Sequence, residues 1–421
     1  MEKYVIMFKG GVETQEFFSI EIAEAFKKKG YRIYWYDLIV SEQSANLLIR
    51  FYETHKNDRF VAVTFNFSGI AGEDGLYGDN FESGNFWNDT KIPVYNIVVD
   101  HPLYYHKYMH LRPLKYTQLS IDRNHVKYLN RFFPDADTAG TDGFLPLGGT
   151  ELNSGGRIMR DKRYLAMQER PIDVIFTGNY TPIKYFDKYI AGMDREYQDF
   201  YYELVNDAIE NTDDLIENLA ERKIRSELTC EEELKGNLVS DDELRSIMPN
   251  LMFVDLSVRF YYRAKVMQSL VDGGVKVHTY GAGWEYLECK HPENIISAGS
   301  VNSLECLDMI SQSKISLNVM PWFKDGAHDR VFNTMLNGAV CLSDTSRYLS
   351  DEFTDGKDIL FYQLKELDGL ADRVNNLLKD TFKLTYIADN AYTRCAHRHT
   401  WNERTEKLIE IIDNQRFKVV K

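Results

Sequence analysis

At 421 residues the chain is too long for one ordinary core and divides most simply into two domains with room for an insertion. Apolar residues at 44% and charged residues at 27% give a globular balance, and a net charge of −14 argues against a nucleic-acid or anionic-membrane surface, leaving only local basic pockets. Five cysteines, Cys230, Cys289, Cys306, Cys341 and Cys395, stand far apart with no C-x-x-C pair, which points to reduced thiols of a cytoplasmic protein, neither a disulfide framework nor a zinc site.

The opening MEKYVIMFKGG enters a strand at once, Tyr4 to Phe8, without the charged start and apolar core of a signal peptide. No run reaches transmembrane length, so any membrane contact is expected to be peripheral. Gly10-Gly11 makes a turn that lets backbone approach a ligand or simply reverses the chain, and Phe17 to Lys29 repeats apolar residues at helical spacing before Gly30. Arg32 to Leu38 alternates as a strand, completing a β-loop-α-β opening typical of a doubly wound sheet. Val61 to Phe67 is a third strand. Behind it lies a long segment with five glycines interleaved with Tyr77, Phe81, Phe86 and Trp87, read either as a mobile loop beside an acceptor site or as a plain surface excursion.

Pro93 to Val99 is the next strand and ends in Asp100-His101-Pro102. A carboxylate beside an imidazole at a strand's carboxyl end suits a general base, while a strand-end Asp capping the next turn is the plainer reading. Tyr116 to Ile121 follows, Asp122 leads a helix through Phe133, and Phe144 to Leu147 before Gly148-Gly149 reads as the last strand of this domain. Asp135-Ala136-Asp137 has the form of a metal-holding Asp-x-Asp, but in a turn-rich stretch after Pro134 it reads as a solvated loop, and no metal site is expected.

After a polar connection from Thr150 to Arg170, a strand from Ile172 to Phe176 ends in Thr177-Gly178-Asn179-Tyr180, like the first strand and glycine loop of a second nucleotide-binding domain. From Ile183 to about Asn250 the chain is acidic and helical, an insertion into that domain or a cap that binds a partner. The parallel pattern resumes with a helix from Tyr262 to Val271, a strand from Val275 to Tyr280, and Gly281-Ala282-Gly283-Trp284, where a flat base or ribose can lie on backbone with Trp284 as a wall. Ile295-Ile296, a helix from Val301 to Ser311, and a strand from Asp358 to Tyr362 extend the sheet, and an amphipathic helix from Tyr386 closes the chain.

The most informative stretch is SKISLNVMPWFKDGAHDRVFNTMLNGAVCLSD. Ile315, Leu317 and Val319 share one side of a strand, Asp325-Gly326 breaks it, Asp329 to Asn337 is helical, Gly338 caps it, and Ala339 to Leu342 begins another strand. In such a βαβ unit ligands sit beyond the strand's carboxyl end, and here the helix start carries Arg330 beside backbone N–H groups without internal partners. Both favour an anion such as a diphosphate.

Phe176-Thr177-Gly178-Asn179, Tyr280-Gly281-Ala282-Gly283, Ser316-Leu317-Asn318, the run Gly326-Ala327-His328-Asp329-Arg330-Val331-Phe332-Asn333 with Gly338-Ala339, and the tail His399-Thr400-Trp401-Asn402-Glu403-Arg404 together resemble the GT-B glycosyltransferases. Within these they resemble CgeB-type, spore-maturation-like proteins with a "glycosyl transferases group 1" C-terminal domain. The likeness runs from about Ile172 to Ile412; the N-terminal half matches only in its order of elements and in the Asp100-His101-Pro102 and Leu145-Pro146-Leu147-Gly148 turns. It implies an α/β GT-B fold of two Rossmann-like domains facing across a cleft, 1–165 for the acceptor and 166–400 for a nucleotide-sugar, with a helical insertion at about 183–255 and a final helix, 401–421, returning to the first domain. The wider group carries two glutamates eight positions apart, one near the donor sugar and one on the ribose; here Asp325 and Asn333 stand in those places. Asn333, both donor and acceptor, can still bond ribose hydroxyls.

The expectation is a metal-independent transferase, without a cofactor, that moves a sugar from a nucleoside diphosphate to a glycan, protein or small-molecule acceptor. Arg330, the helix N–H groups after Gly326 and the Gly178 loop would stabilise the departing diphosphate, each well-placed donor contributing about 3–4 kcal/mol. Gly178, Asn179, Gly281, Gly283, Trp284, Asn318, Gly326, His328, Arg330 and Asn333 form the donor set, Asp100, His101 and Asp325 the catalytic candidates, and Gly10 and Gly11 the acceptor side. A nucleotide-sugar epimerase or hydrolase on the same scaffold, or a non-catalytic sugar-nucleotide-binding assembly protein, remains open as an alternative.

Overall fold

The computed structural model describes residues 1–78, 84–136, 143–152, 165–227 and 239–415. Phe81, Asp137, Cys230, and the parts of the polar connection and of the helical insertion at 153–164 and 228–238 lie outside them. The chain parts into two compact units, Met1–Gly148 with His399–Lys421, and Gly149–Arg398.

In the first unit β1 (Lys3–Lys9), β2 (Arg32–Asp37), β3 (Arg59–Phe65), β4 (Val94–Val98) and β5 (Tyr116–Ser120) form a parallel sheet in the order β2-β1-β3-β4-β5. Their near-continuous apolar runs suit strands covered on both faces, and Val5, Ile6 and Met7 have no exposed surface. Helix Ser41–Thr54 carries no signal strong enough to be anticipated, because it buries only Ser44, Ala45 and Leu48 while Leu47 and Ile49 stay exposed. The stretch from Phe144 forms a single bridge to Ser120 instead of a strand, since Leu145 donates to Ser120 at 2.9 Å and Pro146 has no N–H to continue the ladder. The aromatic segment after β3 packs inward. Trp87 is 1% exposed and donates from Nε1 to the Gly69 carbonyl at 3.0 Å, and Tyr77 and Phe86 join the core of this unit.

In the second unit β6 (Ile172–Thr177), β7 (Val277–Tyr280), β8 (Ile295–Ser297), β9 (Ser313–Asn318), β10 (Val340–Asp344) and β11 (Leu360–Tyr362) form a parallel sheet in the order β11-β10-β9-β6-β7-β8. The chain lays β7 and β8 to one side of β6, then returns to lay β9, β10 and β11 on the other. Strand order therefore reverses between β6 and β9, and a crevice opens at their carboxyl ends. Between β6 and β7 run helices Arg195–Glu210, Ile216–Glu227, Asp241–Ile247 and Met252–Asp272. The first and last are tied by the Tyr201 hydroxyl to Ser257 Oγ at 3.0 Å and by the Tyr262 hydroxyl to the Ile209 carbonyl at 2.5 Å.

The tail comprises two helices, Thr381–Ala396 and Trp401–Asn414, the second N-capped by Thr400. Trp401–Asn414 belongs to the first unit, where the Trp401 ring lies 5.0 Å from that of Phe18. Among the described residues no helix is long and apolar enough to cross a membrane.

Candidate functional site

Helix Asp329–Leu336 starts directly behind the ends of β6 and β9, and all eight of its residues are buried. Side chains in a first helical turn lean back towards the N-terminus, so Arg330 reaches over both strand ends. Its Nε donates to Thr177 Oγ1 at 3.1 Å and its Nη1 to Asn318 Oδ1 at 2.7 Å, with Cζ 5.2 Å from the centre of the Phe176 ring. His328 is the N-cap. Its Nδ1 lies 3.2 Å from the Arg330 N–H and 2.7 Å from Asp329 Oδ1, so a neutral ring either accepts from the first or donates to the second. Burial, and next the Arg330 charge, lower the His328 pKa and keep the ring neutral.

A second guanidinium arrives from helix Met252–Asp272. Arg263 Nη1 donates to the Asn179 carbonyl at 2.6 Å, and its Cζ stands 5.6 Å from Phe176, 5.4 Å from Phe260 and 5.5 Å from Trp322. Its Nε is buried with no hydrogen-bond partner among the described residues. One turn earlier Arg259 lies 3.8 Å over Trp322 and pairs with Asp255 at 3.3 Å. Burial, then the charges of Arg330 and Arg259, push the Arg263 pKa well down, and burial lowers that of Arg330. Among the described residues, the side chains of Arg263 and Arg330 are thus two buried cations hydrogen-bonded to neutral oxygens alone, an arrangement that costs several kcal/mol per ion and that a bound anion would offset.

The loops after β6 and β7 are laced together. Gly178 N–H donates to Tyr280 at 2.8 Å, Ala282 N–H to Asn179 Oδ1 at 2.9 Å, and Tyr180 N–H to Ala282 at 2.9 Å. A Cβ on Gly281 (φ +151) would sit 2.3 Å from the Gly178 carbonyl oxygen, and one on Gly283 (φ +91) 2.0 Å from that of Tyr180. Trp284 is buried beneath this loop, donates from Nε1 to the Gly178 carbonyl at 2.8 Å, and stacks on the half-buried Tyr180 with ring centres 5.3 Å apart.

Asp325 is buried just ahead of Gly326, whose carbonyl accepts the Ser346 hydroxyl at 2.6 Å. The Asn333 amide holds the chain after Gly149, accepting from Thr150 N–H at 2.8 Å and donating to Asp329 Oδ2 at 2.8 Å. Among the described residues, one N–H and one lone pair of that amide remain. Gly178, Asn179, Gly281, Gly283, Trp284, Asn318, Gly326, His328, Arg330 and Asn333 all lie in the second unit.

In the first unit Gly10 (φ +80) ends β1 and donates to Glu16 Oε2 at 2.8 Å, with Gly11 against Leu38. Asp100 and His101 face different surroundings. Asp100 Oδ2 accepts from Asn66 Nδ2 at 3.1 Å and the Tyr105 hydroxyl at 2.8 Å, while His101 is buried, accepts from Leu103 N–H at 3.2 Å, and packs 4.6 Å from His125 and 4.8 Å from Tyr128. Asn66 (φ 47) and Phe67 (φ 66) adopt left-handed backbone at the end of β3, next to the strand-order reversal of this sheet.

Sequence reading missed Arg263, Thr177 and Asn66. The signal for Arg263 is its place four residues after Arg259 and eight after Asp255, a charged repeat on a helix that also buries Val254, Tyr262, Val266 and Leu270.

Residues 263–410 match a family model described as glycosyl transferase-like. No curated protein matches the chain. Among solved structures, an alpha-glucosyltransferase in complex with UDP and a 13-mer DNA containing an HMU base is 10% identical over 98% of this chain and 100% of that one, with a TM-score of 0.54. An alpha-glucosyltransferase in complex with UDP-glucose and DNA containing an abasic site is 11% identical over 98% of this chain and 99% of that one, with a TM-score of 0.51. TarM is 12% identical with a TM-score of 0.41, over 88% of this chain, which spans 58% of the length of TarM. At these identities the likeness concerns the fold alone: two parallel-sheet α/β units of the GT-B glycosyltransferase kind.

Proposed function

We propose that the protein is a glycosyltransferase that takes a sugar from a nucleoside diphosphate held by the second unit. One observation carries the reading: Arg263 and Arg330, both buried, lie against the Phe176 ring at the strand-order reversal and, among the described residues, their side chains have only neutral hydrogen-bond partners. Breakage of the sugar–phosphate bond leaves negative charge on the diphosphate, and donors already aimed at that place stabilise it without reorganising. In the β6 loop a Cβ on Gly178 would sit 3.3 Å from an Arg330 nitrogen, so the glycine there lets backbone come close to the same anion. Asp325 is proposed beside the donor sugar, and Asp100, oriented by Asn66 and Tyr105, as the base towards an acceptor hydroxyl if configuration inverts. The arginines supply the positive charge that a divalent ion would otherwise bring, so the reaction is proposed to need no metal. UDP and UDP-glucose in the similar structures make uridine donors the first to try.

The test is isothermal titration of UDP-, GDP- and dTDP-sugars into the protein with chelator present, followed by donor hydrolysis and transfer assays. Binding of one nucleotide family is expected, with at least a hundredfold loss in Arg330→Ala, about 2.7 kcal/mol. Wild-type turnover in a folded Arg330→Ala protein would sink the reading. The engagement of the Asn333 amide with Thr150 and Asp329 favours, as a second reading, a protein that binds nucleotide-sugars without turning them over. Tight binding with no hydrolysis and no transfer would decide for it.

A further inference from the structure

Arg330 is held from behind by the ends of two strands, with a third strand behind them. Its Nε donates to Thr177 Oγ1 at the end of β6, its Nη1 donates to Asn318 Oδ1 at the end of β9, and the Phe176 ring lies against it. A guanidinium is a rigid planar fork, so two hydrogen bonds along it fix where its remaining N–H groups point. They point towards the β6 loop, where a Cβ on Gly178 would sit 3.3 Å from Nη2. Among the described residues Nη2 makes no hydrogen bond of its own.

The amide of Asn318 is held in one orientation. Its Nδ2 donates to Ser343 Oγ on β10 at 2.9 Å, and Ser343 gives its one hydroxyl proton to the Asp344 carbonyl at 2.7 Å, so Ser343 Oγ can only accept. An amide that turns its N–H groups to Ser343 presents its oxygen to Arg330. The Tyr362 hydroxyl, at the end of β11, donates to the Asn318 carbonyl at 2.7 Å and fixes the end of β9 itself. Asn318 and Ser343 are buried.

Every side chain in this thread behind Arg330 is uncharged. Among the described residues Arg330 forms no ion pair, and the acid beside it in sequence is engaged elsewhere: Asp329 meets His328 Nδ1 at 2.7 Å and accepts from Asn333 Nδ2 at 2.8 Å. An aspartate at position 318 would accept the same hydrogen bond from Nη1 and cancel the charge. Asparagine gives the direction and leaves the charge for a ligand.

We propose that Thr177 and Asn318, with Ser343 behind them, are positioning residues that aim the Arg330 guanidinium at the Gly178 loop without neutralising it, and that Asn318 acts through Arg330 instead of touching the donor. This rests on the reading of Arg330 as a diphosphate contact and says what holds that contact in place.

Inorganic pyrophosphate, which carries the charge of the leaving group and no base, is titrated by calorimetry into the full chain and into Asn318→Asp, Asn318→Ala, Thr177→Val, Thr177→Ser and Arg330→Ala variants. Losing a hydrogen bond to a charged group should weaken binding about ten- to hundredfold in Asn318→Ala and Thr177→Val, and Thr177→Ser should restore it. Asn318→Asp should lose more than Asn318→Ala, because the carboxylate takes the charge that the anion needs. A merely structural Asn318 gives the opposite order, since alanine leaves Nη1 and Ser343 without a partner while aspartate keeps Nη1 bonded; that order overturns the proposal. So does pyrophosphate binding in Asn318→Asp equal to the wild type, with the diphosphate reading left standing. Loss in both Asn318 variants with none in Thr177→Val would make Asn318 a direct ligand contact and also overturns it. Wild-type binding that Arg330→Ala does not weaken, or no binding at about 10 mM, removes the diphosphate reading itself and this proposal with it.

Discussion

Arg263 is the residue on which the proposed anion site can be tested most directly. It donates to the Asn179 carbonyl, its Nε has no hydrogen-bond partner among the described residues, and two other guanidinium groups are close enough to lower its pKa. Replacing a buried ion with an apolar side chain of similar length is commonly neutral or stabilising by about 1–4 kcal/mol. Arg263→Met is therefore expected to melt at or above the wild-type temperature when unliganded and to lose the thermal shift given by a nucleotide-sugar. A loss of more than about 2 kcal/mol in the unliganded variant, beyond ordinary surface effects, would show that the charge is structural instead. Asp344 gives a pH prediction with a definite sign. Burial raises its pKa from 3.8 to about 7, while the Met320 N–H and the charges of Lys324 and Arg330 act the other way and Tyr362 packs beside it. The folded state holds this proton more tightly than the unfolded chain, so its contribution is full below pH about 4 and is lost as pH rises to about 7, on the order of 4 kcal/mol. Asp344→Asn should flatten the stability profile across that window, as read by urea midpoints at successive pH values. Arg330 was legible in the sequence because it follows a glycine break and opens a helix. Arg263 was not, because more than 80 residues separate it from the loop it supports and only the folded chain brings them together.

At the scale of elements, the loops after β6 and β7 behave as one piece. Their mutual bonds, Gly178 to Tyr280, Ala282 to Asn179 and Tyr180 to Ala282, leave no room for a side chain at Gly281. Gly281→Ala must push the loops apart and also hold alanine at φ +151, the backbone strain alone costing about 1–3 kcal/mol. Gly369 (φ +77) is a control, since nothing lies within 4 Å of its would-be Cβ and only backbone strain applies, about 1 kcal/mol. Donor affinity should fall in Gly281→Ala and hold in Gly369→Ala; equal losses would show that the lacing does not shape the site. The strands were legible because a parallel sheet buries both faces and leaves uninterrupted apolar runs. Helix Ser41–Thr54 was not legible, since it buries few side chains, and neither was the role of Trp284. A tryptophan after a glycine loop reads as a wall for a ligand, yet its ring lies under the loop, braced by the Gly178 carbonyl. Likewise the aromatic segment after β3 looks from its glycines like an excursion, but Trp87 and Phe86 supply core volume.

The whole molecule is threaded so that both chain ends build the first unit. The chain leaves it at Gly148 and returns at His399, and a Cβ on Gly148 would sit 2.7 Å from the Trp401 N, so exit and return are in contact there. Arg404 reinforces the junction, donating from Nε to the Leu147 carbonyl at 3.0 Å with Nη2 2.8 Å from His399 Nδ1. Trp401, Leu408, Ile411 and Ile412 are all buried by this helix. At about 1.5–3 kcal/mol for each large apolar side chain, the four contribute on the order of 6–12 kcal/mol. That is as large as the whole stability of a typical domain, about 5–15 kcal/mol. A chain ending at Arg398 is therefore expected to keep a folded second unit, complete from Gly149 to Arg398, and to lose the first. Hydrogen exchange distinguishes the outcomes: amides of β6 and β9 should stay protected in the truncated chain while those of β1 and β3 exchange at the unfolded rate, and nucleotide-sugar binding should survive. Protection of the β1 amides would mean that the first sheet closes its core without the returning helix, and that the helix serves some end other than stability.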